Sequence, residues 1–160
     1  MTNDPSAKRD EALSFLMAHD TGILATASHD GSPHARTVYY SWDDAFNVYF
    51  ITLANTRKVA HIQENPKVAF VVSEAELPRT LQIEGDVEDL TNNAGVDPAL
   101  ANLVNTLMSN TKYGAPLGRF DTATLKFYRI KPTWVRWGNF LFGQGTDNVL
   151  TQIDPTEEKI

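Results

Sequence analysis

The sequence predicts a mainly β protein of the α+β class, built as a small antiparallel β-barrel of six or seven strands with peripheral helices. About seven short segments have strand-like patterns, and most of them follow one another at hairpin spacing. Only three segments have helical periodicity, so the regular strand–helix alternation of a parallel sheet is absent. A chain of 160 residues, 42% of them hydrophobic, can enclose one core. We therefore predict a single domain over 1–160, with polar termini at about 1–4 and 147–160.

The first predicted element is a helix from Pro5 to about His19. Asp4 is a suitable N-cap, and proline is favoured at the first helical position because an N–H there would have no partner. The period of the apolar residues then changes to two, which indicates strands. Two such strands flank Asp30-Gly31, a dipeptide that favours a hairpin turn because it accepts positive φ angles. These two strands are predicted at 23–28 and 34–42.

Later segments continue the meander and place two more helices beside it. The run Val68–Val72 is apolar at every position, so its strand is predicted to be covered on both faces. The next strand alternates, with Leu81, Ile83 and Val87 directed inward. A helix that opens at Asp97-Pro98 has one apolar stripe and is expected to cover part of the barrel. The remaining predicted strands are 46–52, 67–73, 80–88, 124–130 and 133–140, and the remaining helix lies within 54–66.

Composition and charge exclude several classes of function. The chain has 20 acidic and 14 basic residues, a net charge of −6, so sequence-independent binding to nucleic acid or an anionic membrane is not expected. It has no cysteine, which excludes disulfides, thiolate metal sites and a cysteine nucleophile. Its four histidines lack metal-site spacing, so no metal is predicted. No apolar run approaches the roughly 20 residues that cross a bilayer, and the N-terminus is polar, so a cytoplasmic location is expected.

The second predicted helix begins with an unfavourable charge pattern. Asn55 or Thr56 would cap it, and Arg57 and Lys58 occupy its first turn. A helix N-terminus carries about half a positive charge, which disfavours each cation there by roughly 0.3–1 kcal/mol. A bound anion would reverse this penalty, because the free backbone N–H groups and the two cations would then act together. The alternative is that the two cations form a solvated face.

Arg36 is the second unusual cation, because it lies inside a predicted strand on the face that carries His34 and Val38. A guanidinium in such a position needs a partner, since burial of an unpaired charge is costly. The partner is either a carboxylate such as Glu84 or an anionic ligand.

Five segments of the chain occur in an informative order. They are Arg36-Thr37-Val38-Tyr39-Tyr40, Tyr49-Phe50-Ile51-Thr52, Thr56-Arg57-Lys58, Asn65-Pro66-Lys67-Val68 and Gln82-Ile83-Glu84-Gly85. Their order and spacing resemble the pyridoxamine 5′-phosphate oxidase-like family of FMN-binding split β-barrels. The resemblance extends from Thr21 to Glu88 and is looser elsewhere. It implies a split barrel that binds FMN in a cleft between the two subunits of a homodimer.

The resemblance also implies a role for individual side chains. Arg36, Arg57 and Lys58 would hold the FMN phosphate together with Thr56. Contacts along the ribityl chain and ring would come from Thr37, Val38 and Thr52.

On the later strands the implied contacts are to the flavin ring. Either Thr80 or Gln82 would reach the isoalloxazine, and the register leaves both open. Trp137 lies on a strand similar to the family's last strand, whose aromatic and basic residues come from the partner subunit. The alternative for Trp134 and Trp137 is ordinary barrel or interface packing.

Two departures from the family pattern limit the expected activity. True pyridoxamine phosphate oxidases have a lysine where this chain has Ser41, and they carry a C-terminal Arg-x-His that this chain lacks. Oxidation of pyridoxamine phosphate is therefore not expected.

The function that the resemblance implies is an FMN-dependent oxidoreductase or reductase that acts on a small molecule. The flavin would perform the hydride or electron transfer, so binding residues and no catalytic residues are predicted. Three alternatives stay open: a deazaflavin-dependent reductase, a non-catalytic protein that stores or senses flavin or haem, and an oligonucleotide-binding barrel. The last would stack bases on Tyr39, Trp42 and Phe50.

Overall fold

The structure, a computed structural model, describes residues 4–93, 98–112, 119–141 and 149–157. These ranges contain three helices, eight strands and a one-turn 3₁₀ helix at Thr122–Thr124. The helices are α1 (Pro5–Ala18), α2 (Arg57–Glu64) and α3 (Pro98–Ser109). The strands are β1 (Thr21–Ala27), β2 (Pro33–Tyr39), β3 (Ser41–Trp42), β4 (Val48–Leu53), β5 (Lys67–Ser73), β6 (Arg79–Asp89), β7 (Leu125–Asn139) and β8 (Leu150–Ile153).

The strands form one antiparallel sheet that curls into a half-barrel, which confirms the predicted fold class. The order along the sheet is β2-β1-β5-β6-β7-β4-β3, and β8 pairs with β7 outside this path. The two ends of the path, β2 and β3, are not paired with each other in the described residues, so the barrel is split there. The curl gives the sheet an inner face, which is apolar, and an outer face of mixed character.

The inner face of the sheet and one side of α1 enclose the main hydrophobic core. Burial of a leucine or phenylalanine side chain stabilises the fold by about 1.5–3 kcal/mol. The largest fully buried side chains of this core are Leu16, Leu24, Phe46, Phe50, Phe70, Leu81, Ile83, Tyr128, Ile130 and Trp137. Because they come from α1 and from most of the strands, the core fixes the curvature of the sheet.

The N-terminal elements agree with the sequence analysis. α1 begins at Pro5, and the Asp4 carboxylate accepts a hydrogen bond from the Ser6 N–H at 3.0 Å. The β1–β2 turn contains Gly31 with a φ of 86°, a conformation that costs a residue with a Cβ atom about 1–2 kcal/mol. The predicted hairpin and its turn residues are confirmed. The second strand, predicted at 34–42, was too long, because β2 ends at Tyr39 and Ser41–Trp42 form β3, which pairs with β4 at the other end of the sheet.

The strand that is buried on both faces is β4 and not β5. Tyr49 and Ile51 on the outer face of β4 pack under α3, while its inner residues belong to the main core. On β5 the outer residues Ala69 and Val71 are only half-buried. The prediction of two covered faces for β5 was therefore wrong for the single chain. An apolar run shows that both faces of a strand are apolar. It does not show whether another element packs on each of them.

Two predicted strands are joined into the single strand β7. Pro132 lies opposite Gly85, where the β6–β7 register shifts, so the proline occupies an irregular position of the kind that tolerates a missing N–H. Gly85 is required there, because a Cβ atom would come within 2.3 Å of the Lys131 carbonyl oxygen. The predicted polar tail also contains a strand, β8, which pairs with the end of β7.

The third helix carries the predicted apolar stripe. Leu103, Val104, Leu107 and Met108 pack on the outer face of β4 and on the start of β7. Its expected cap, Asp97, lies outside the described residues, as do parts of both predicted polar termini, at 1–3, 147–148 and 158–160. Among the described helices, none combines the length and the apolar character needed to cross a bilayer.

Candidate functional site

The candidate site is built around the start of α2. The helix begins at Arg57, and Thr56 occupies the N-cap position. The Thr56 hydroxyl donates to the Leu53 carbonyl at 3.0 Å and makes no cap bond to the helix, so the expected cap interaction is not formed. The first turn also contains no acidic residue. An anion at this position would therefore meet backbone donors that no side chain caps.

Lys58 is directed toward the barrel and is held there by a buried hydroxyl. Its Nζ donates a hydrogen bond to the Oγ1 of Thr52 at 2.7 Å. Thr52 lies near the end of β4 and is 7% exposed. Burial lowers the pKa of Lys58 below its ordinary value, and the charge of Arg36 lowers it further. Lys58 and Arg36 are therefore close enough to repel each other.

Arg36 lies on β2, and its guanidinium is bonded to a neighbouring strand. One terminal nitrogen donates to the Oγ1 of Thr26 on β1 at 2.8 Å. The Thr26 side chain is buried, and its oxygen also lies 3.2 Å from the Nδ1 of His61 on α2. Glu84 is exposed on β6 and forms no ion pair with Arg36, so the carboxylate alternative was wrong.

Arg36 lies within electrostatic range of both Arg57 and Lys58; Arg36 and Lys58 are half-buried, and Arg57 is exposed. The pKa of Arg36 is lowered by burial and by Arg57, and the pKa of Lys58 by burial and by Arg36. Within the described part of the chain, no carboxylate forms an ion pair with any of the three. Like charges gathered without a counter-ion are unfavourable, and a bound anion offsets that cost. This donor set suits a phosphate ester, which carries close to two negative charges and several acceptor oxygens.

A histidine that the sequence analysis left unassigned lies in the same cluster. His34 precedes Arg36 by two residues on β2, so both side chains are on the same face of the strand. Its ring lies 4.8 Å from the ring of His61 between centroids, in an edge-to-face arrangement. The alternation along β2 already indicated the shared face, but only the position of α2 brings the second histidine against it.

The candidate ring contacts lie on the outer face of the sheet. The register places Thr37, Ile23, Val71, Gln82 and Arg136 in one row across β2, β1, β5, β6 and β7. Arg136 fixes the amide of Gln82, because its Nε and a terminal nitrogen donate to the Gln82 Oε1 at 3.1 and 2.8 Å.

Thr80 occupies the same face as Gln82, one pleat away on β6. With strands about 4.8 Å apart, Gln82 lies three strand spacings, roughly 14 Å, from Thr37. On the outer face, Thr37 is therefore far from Gln82 and Thr80 within one chain.

Two side chains named as cofactor contacts are buried in the core. Trp137 is 1% exposed and packs against Phe15 at 4.9 Å between ring centroids, and Val38 is 8% exposed. Both lie on the inner face, where a ligand outside the barrel does not reach them. Their side chains are therefore buried in the single chain, and the contacts that the resemblance implied for them stay predictions. Trp134 is on the outer face, with the Arg136 guanidinium over its ring at 5.1 Å.

The structure also bears on two alternatives. Phe50 is 1% exposed, so it offers no face on which a base could stack, whereas Trp42 and Tyr39 are half-buried. The described residues contain no group of three or more His, Asp or Glu side chains that could hold a metal ion. The oligonucleotide-binding hypothesis loses Phe50 as a stacking residue, and the cation cluster is the main candidate site.

The fold and the cation cluster can be set beside known proteins. The family model for pyridoxamine 5′-phosphate oxidase matches residues 9–136. The chain belongs to the pyridoxamine 5′-phosphate oxidase family. It is 40% identical to the pyridoxine/pyridoxamine 5′-phosphate oxidase of Crocosphaera subtropica over 165 residues, which cover 83% of this chain and 74% of that protein. The enzyme of Trichormus variabilis is 39% identical over 85 residues, or 52% of this chain. Those residues span only 40% of that enzyme's length.

Several solved structures share this fold, and they differ in the ligand named for them. A haem binding protein from Mycobacterium smegmatis has a TM-score of 0.71 at 16% identity, covering 92% of this chain and 58% of that one. An FAD-binding protein from Mesorhizobium loti has a TM-score of 0.64 at 25% identity, with 78% and 87% covered. An F420 reductase has a TM-score of 0.52 at 27% identity, with 72% and 87% covered. Flavin, haem and deazaflavin proteins are thus all among the structures similar to this family member.

Proposed function

We propose that this protein binds FMN and acts as an FMN-dependent oxidoreductase or reductase on a small molecule. The observation that carries the proposal is that Arg36 lies within electrostatic range of both Arg57 and Lys58, while none of the three is ion-paired with a carboxylate in the described chain. A phosphate monoester supplies the missing negative charge. The likeness to an FAD-binding protein at 25% identity supports a flavin as the carrier of that phosphate.

The residues of the chain bind and orient the cofactor. Arg36, Arg57 and Lys58 would neutralise the phosphate, and the Thr52 hydroxyl would keep Lys58 directed at it. When bound, FMN supplies hydride or electron transfer at its ring. No side chain is required as an acid or a base. The protein determines which face of the ring stays accessible and how much water reaches it.

We further propose that the cofactor lies at the interface of a homodimer. We call Arg36, Arg57 and Lys58 the phosphate cluster. Arg36 and the Thr52 hydroxyl that holds Lys58 are on the inner face at the barrel end, whereas Thr37, Thr80 and Gln82 are on the outer face. A second copy of the chain would supply the ring contacts that one copy cannot place beside its own phosphate cluster. The outer face also has the apolar residues that an interface needs, because Ile23 is 42% exposed and Val71 is only half-buried.

Oxidation of pyridoxamine phosphate is not part of the proposal. Ser41, which stands where the true oxidases have a lysine, is 5% exposed on β3 and adds no charge to the cluster. The chain also spans about 40% of the length of the first curated relatives. Their substrate is therefore not assigned to this protein.

The test is the absorbance spectrum of the purified protein, followed by titration of the apoprotein with FMN, riboflavin, the deazaflavin F420 and haem. We expect a flavin spectrum and an affinity for FMN at least about tenfold above that for riboflavin, since one or more charged hydrogen bonds to the phosphate are worth about 1.5–3 kcal/mol each. Preference for F420 or haem would replace the FMN assignment.

Turnover separates an enzyme from a storage protein. We expect the bound flavin to be reduced by NADH or NADPH and to reoxidise with a small-molecule acceptor. A protein that binds FMN but is reduced by neither donor and reoxidised by no tested acceptor would be a flavin carrier.

A further inference from the structure

The phosphate cluster has a neighbour that the proposed function does not use. His34 lies on the inner face of β2 with Arg36, and its ring contacts the ring of His61 at 4.8 Å between centroids. His61 is buried on α2, and Thr26 joins it to Arg36 through hydrogen-bond distances of 3.2 and 2.8 Å. His34 is thus linked to Arg36 through His61 and Thr26, and it is only half-buried itself.

The charges that face His34 come from two elements. Burial lowers the pKa of its imidazole, and Arg57, His61 and Arg36 lower it further, in that order. Glu64, the acidic residue of α2, is bonded instead to the backbone N–H of His29 in the hairpin turn. His34 therefore experiences positive charge on α2 and on its own strand, and Thr26 on β1 adds only a neutral hydroxyl.

We propose that His34 is a fourth ligand of the phosphate group and binds it in the protonated form, so that cofactor affinity depends on pH. The inference rests on the function proposed above. It adds His34 to the phosphate site and the uptake of a proton by His34 to the binding step. A dianion beside His34 opposes the positive field of Arg36 and Arg57 and favours the imidazolium. The contact with His61 limits the orientation of the ring.

The direction in which FMN affinity changes with pH follows from a comparison of the free protein with the complex. In the free protein the pKa of His34 lies below its ordinary value, and in the complex the phosphate raises it. Between these two values, binding takes up a proton, and the affinity due to His34 falls as pH rises. Above both values His34 is neutral in both states, and its charge contributes nothing.

The experiment is calorimetric titration of the apoprotein with FMN in pairs of buffers that differ in heat of ionisation, from about pH 6 to about pH 8. It compares the wild type with His34→Gln and with His29→Gln, an exposed histidine in the turn of the same hairpin. Because the phosphate of FMN also titrates with a pKa of about 6, the difference between proteins is the readout.

We expect the wild type and His29→Gln to take up more protons on binding than His34→Gln. Their affinity advantage over His34→Gln should be about tenfold near pH 6 and less than about twofold near pH 8, since one pKa unit corresponds to about a tenfold change. An NMR titration of the wild-type histidines, with and without FMN, gives the same answer without a variant. His34 should titrate at higher pH in the complex.

The possible outcomes separate the two proposals. If His34→Gln binds FMN with the same pH profile and proton uptake as the wild type, the inference about His34 is overturned while the flavin site stands. A loss of affinity that is equal at every pH also overturns it, because that pattern indicates a merely structural role. If none of the three proteins binds FMN at any pH, the proposed function is overturned, and this inference with it.

Discussion

The Nζ of Lys58 donates a 2.7 Å hydrogen bond to the buried hydroxyl of Thr52, which connects the first turn of α2 to the end of β4. The bond fixes a long, flexible side chain at the point where Arg36 repels it. Lys58 is therefore already held near Arg36 in the free protein. Less ordering of its side chain is needed when a ligand binds.

Replacement of Thr52 tests this positioning. Thr52→Val keeps the shape and removes the acceptor, so we expect FMN affinity to fall about tenfold, near the lower limit for a hydrogen bond to a charged group. Thr52→Ser retains the hydroxyl and should stay within about twofold of the wild type. Fluorescence titration of the apoproteins measures both. Equal affinities in the two variants would show that the bond does not organise the site.

The double variant Arg57→Ala/Lys58→Ala tests the phosphate site directly. Loss of two cations should weaken FMN binding by at most several kcal/mol, at about 1.5–3 kcal/mol for each charged hydrogen bond. Riboflavin, which has no phosphate, should bind nearly as it does to the wild type. Lys112→Ala is the control, because Lys112 is an exposed cation paired with Asp20 at 3.6 Å. Unchanged FMN occupancy in the double variant would refute the site.

Tyr128 provides a prediction about stability. Its hydroxyl is buried and has no hydrogen-bond partner in the described structure, whereas the Tyr40 hydroxyl donates to the Leu16 carbonyl at 2.7 Å. An unsatisfied buried polar group costs about 1–3 kcal/mol, so Tyr128→Phe should raise the free energy of unfolding by up to that amount. Tyr40→Phe should lower it by about 1 kcal/mol. Urea unfolding measures both, and a Tyr128→Phe protein less stable than the wild type contradicts the prediction.

Alkaline pH should destabilise the protein through its buried tyrosines. Burial raises the pKa of Tyr49 and of Tyr128 to about 12, and nearby carboxylates add to the shift. Because the unfolded chain releases these protons near pH 10 and the folded chain keeps them, stability is complete below about pH 10 and is lost as pH rises toward about 12. Urea midpoints between about pH 9 and about pH 11 should fall less in Tyr128→Phe than in the wild type. Parallel curves would contradict this assignment.

Ile23→Glu tests the proposed dimer. Ile23 is 42% exposed beside Val71 on the outer face, and burying an unpaired carboxylate in an interface is unfavourable. We expect a monomer by analytical ultracentrifugation and a loss of FMN binding. Phe120→Glu, at a residue 45% exposed in the segment before β7, should leave both properties unchanged. A dimer that persists in Ile23→Glu would place the interface elsewhere.

Local sequence patterns predicted the elements because each pattern has a short-range cause. The Asp4 side chain caps α1, and Gly31 adopts a positive φ. Along β6, buried apolar residues alternate with more exposed polar residues. The same reasoning identified Arg57 and Lys58 as a charge pattern at odds with a helix start, and the structure places them in the first turn of α2. These properties depend on residues within a few positions of one another.

Burial was harder to predict than secondary structure. Trp137 and Trp134 lie three residues apart on β7, so alternation places them on opposite faces, and only the packing of α1 against Trp137 shows which of the two is in the core. The apolar run of β5 likewise suggested two covered faces, whereas α3 covers β4. An apolar side chain indicates that its burial would be favourable. Whether it is buried depends on which distant element packs against that face of the strand.

The sequence by itself determined most of the strands, the start of α1 and of α2, the shared face of His34 and Arg36, and the family. Only the tertiary structure decided that α2 meets β1 and β2, so that Thr26 bridges Arg36 to His61 and Arg36 comes within electrostatic range of Arg57 and Lys58. The physical reason is that strand period and capping act over a few residues. The meeting of like charges from separate elements is enforced by the burial of the whole core around them.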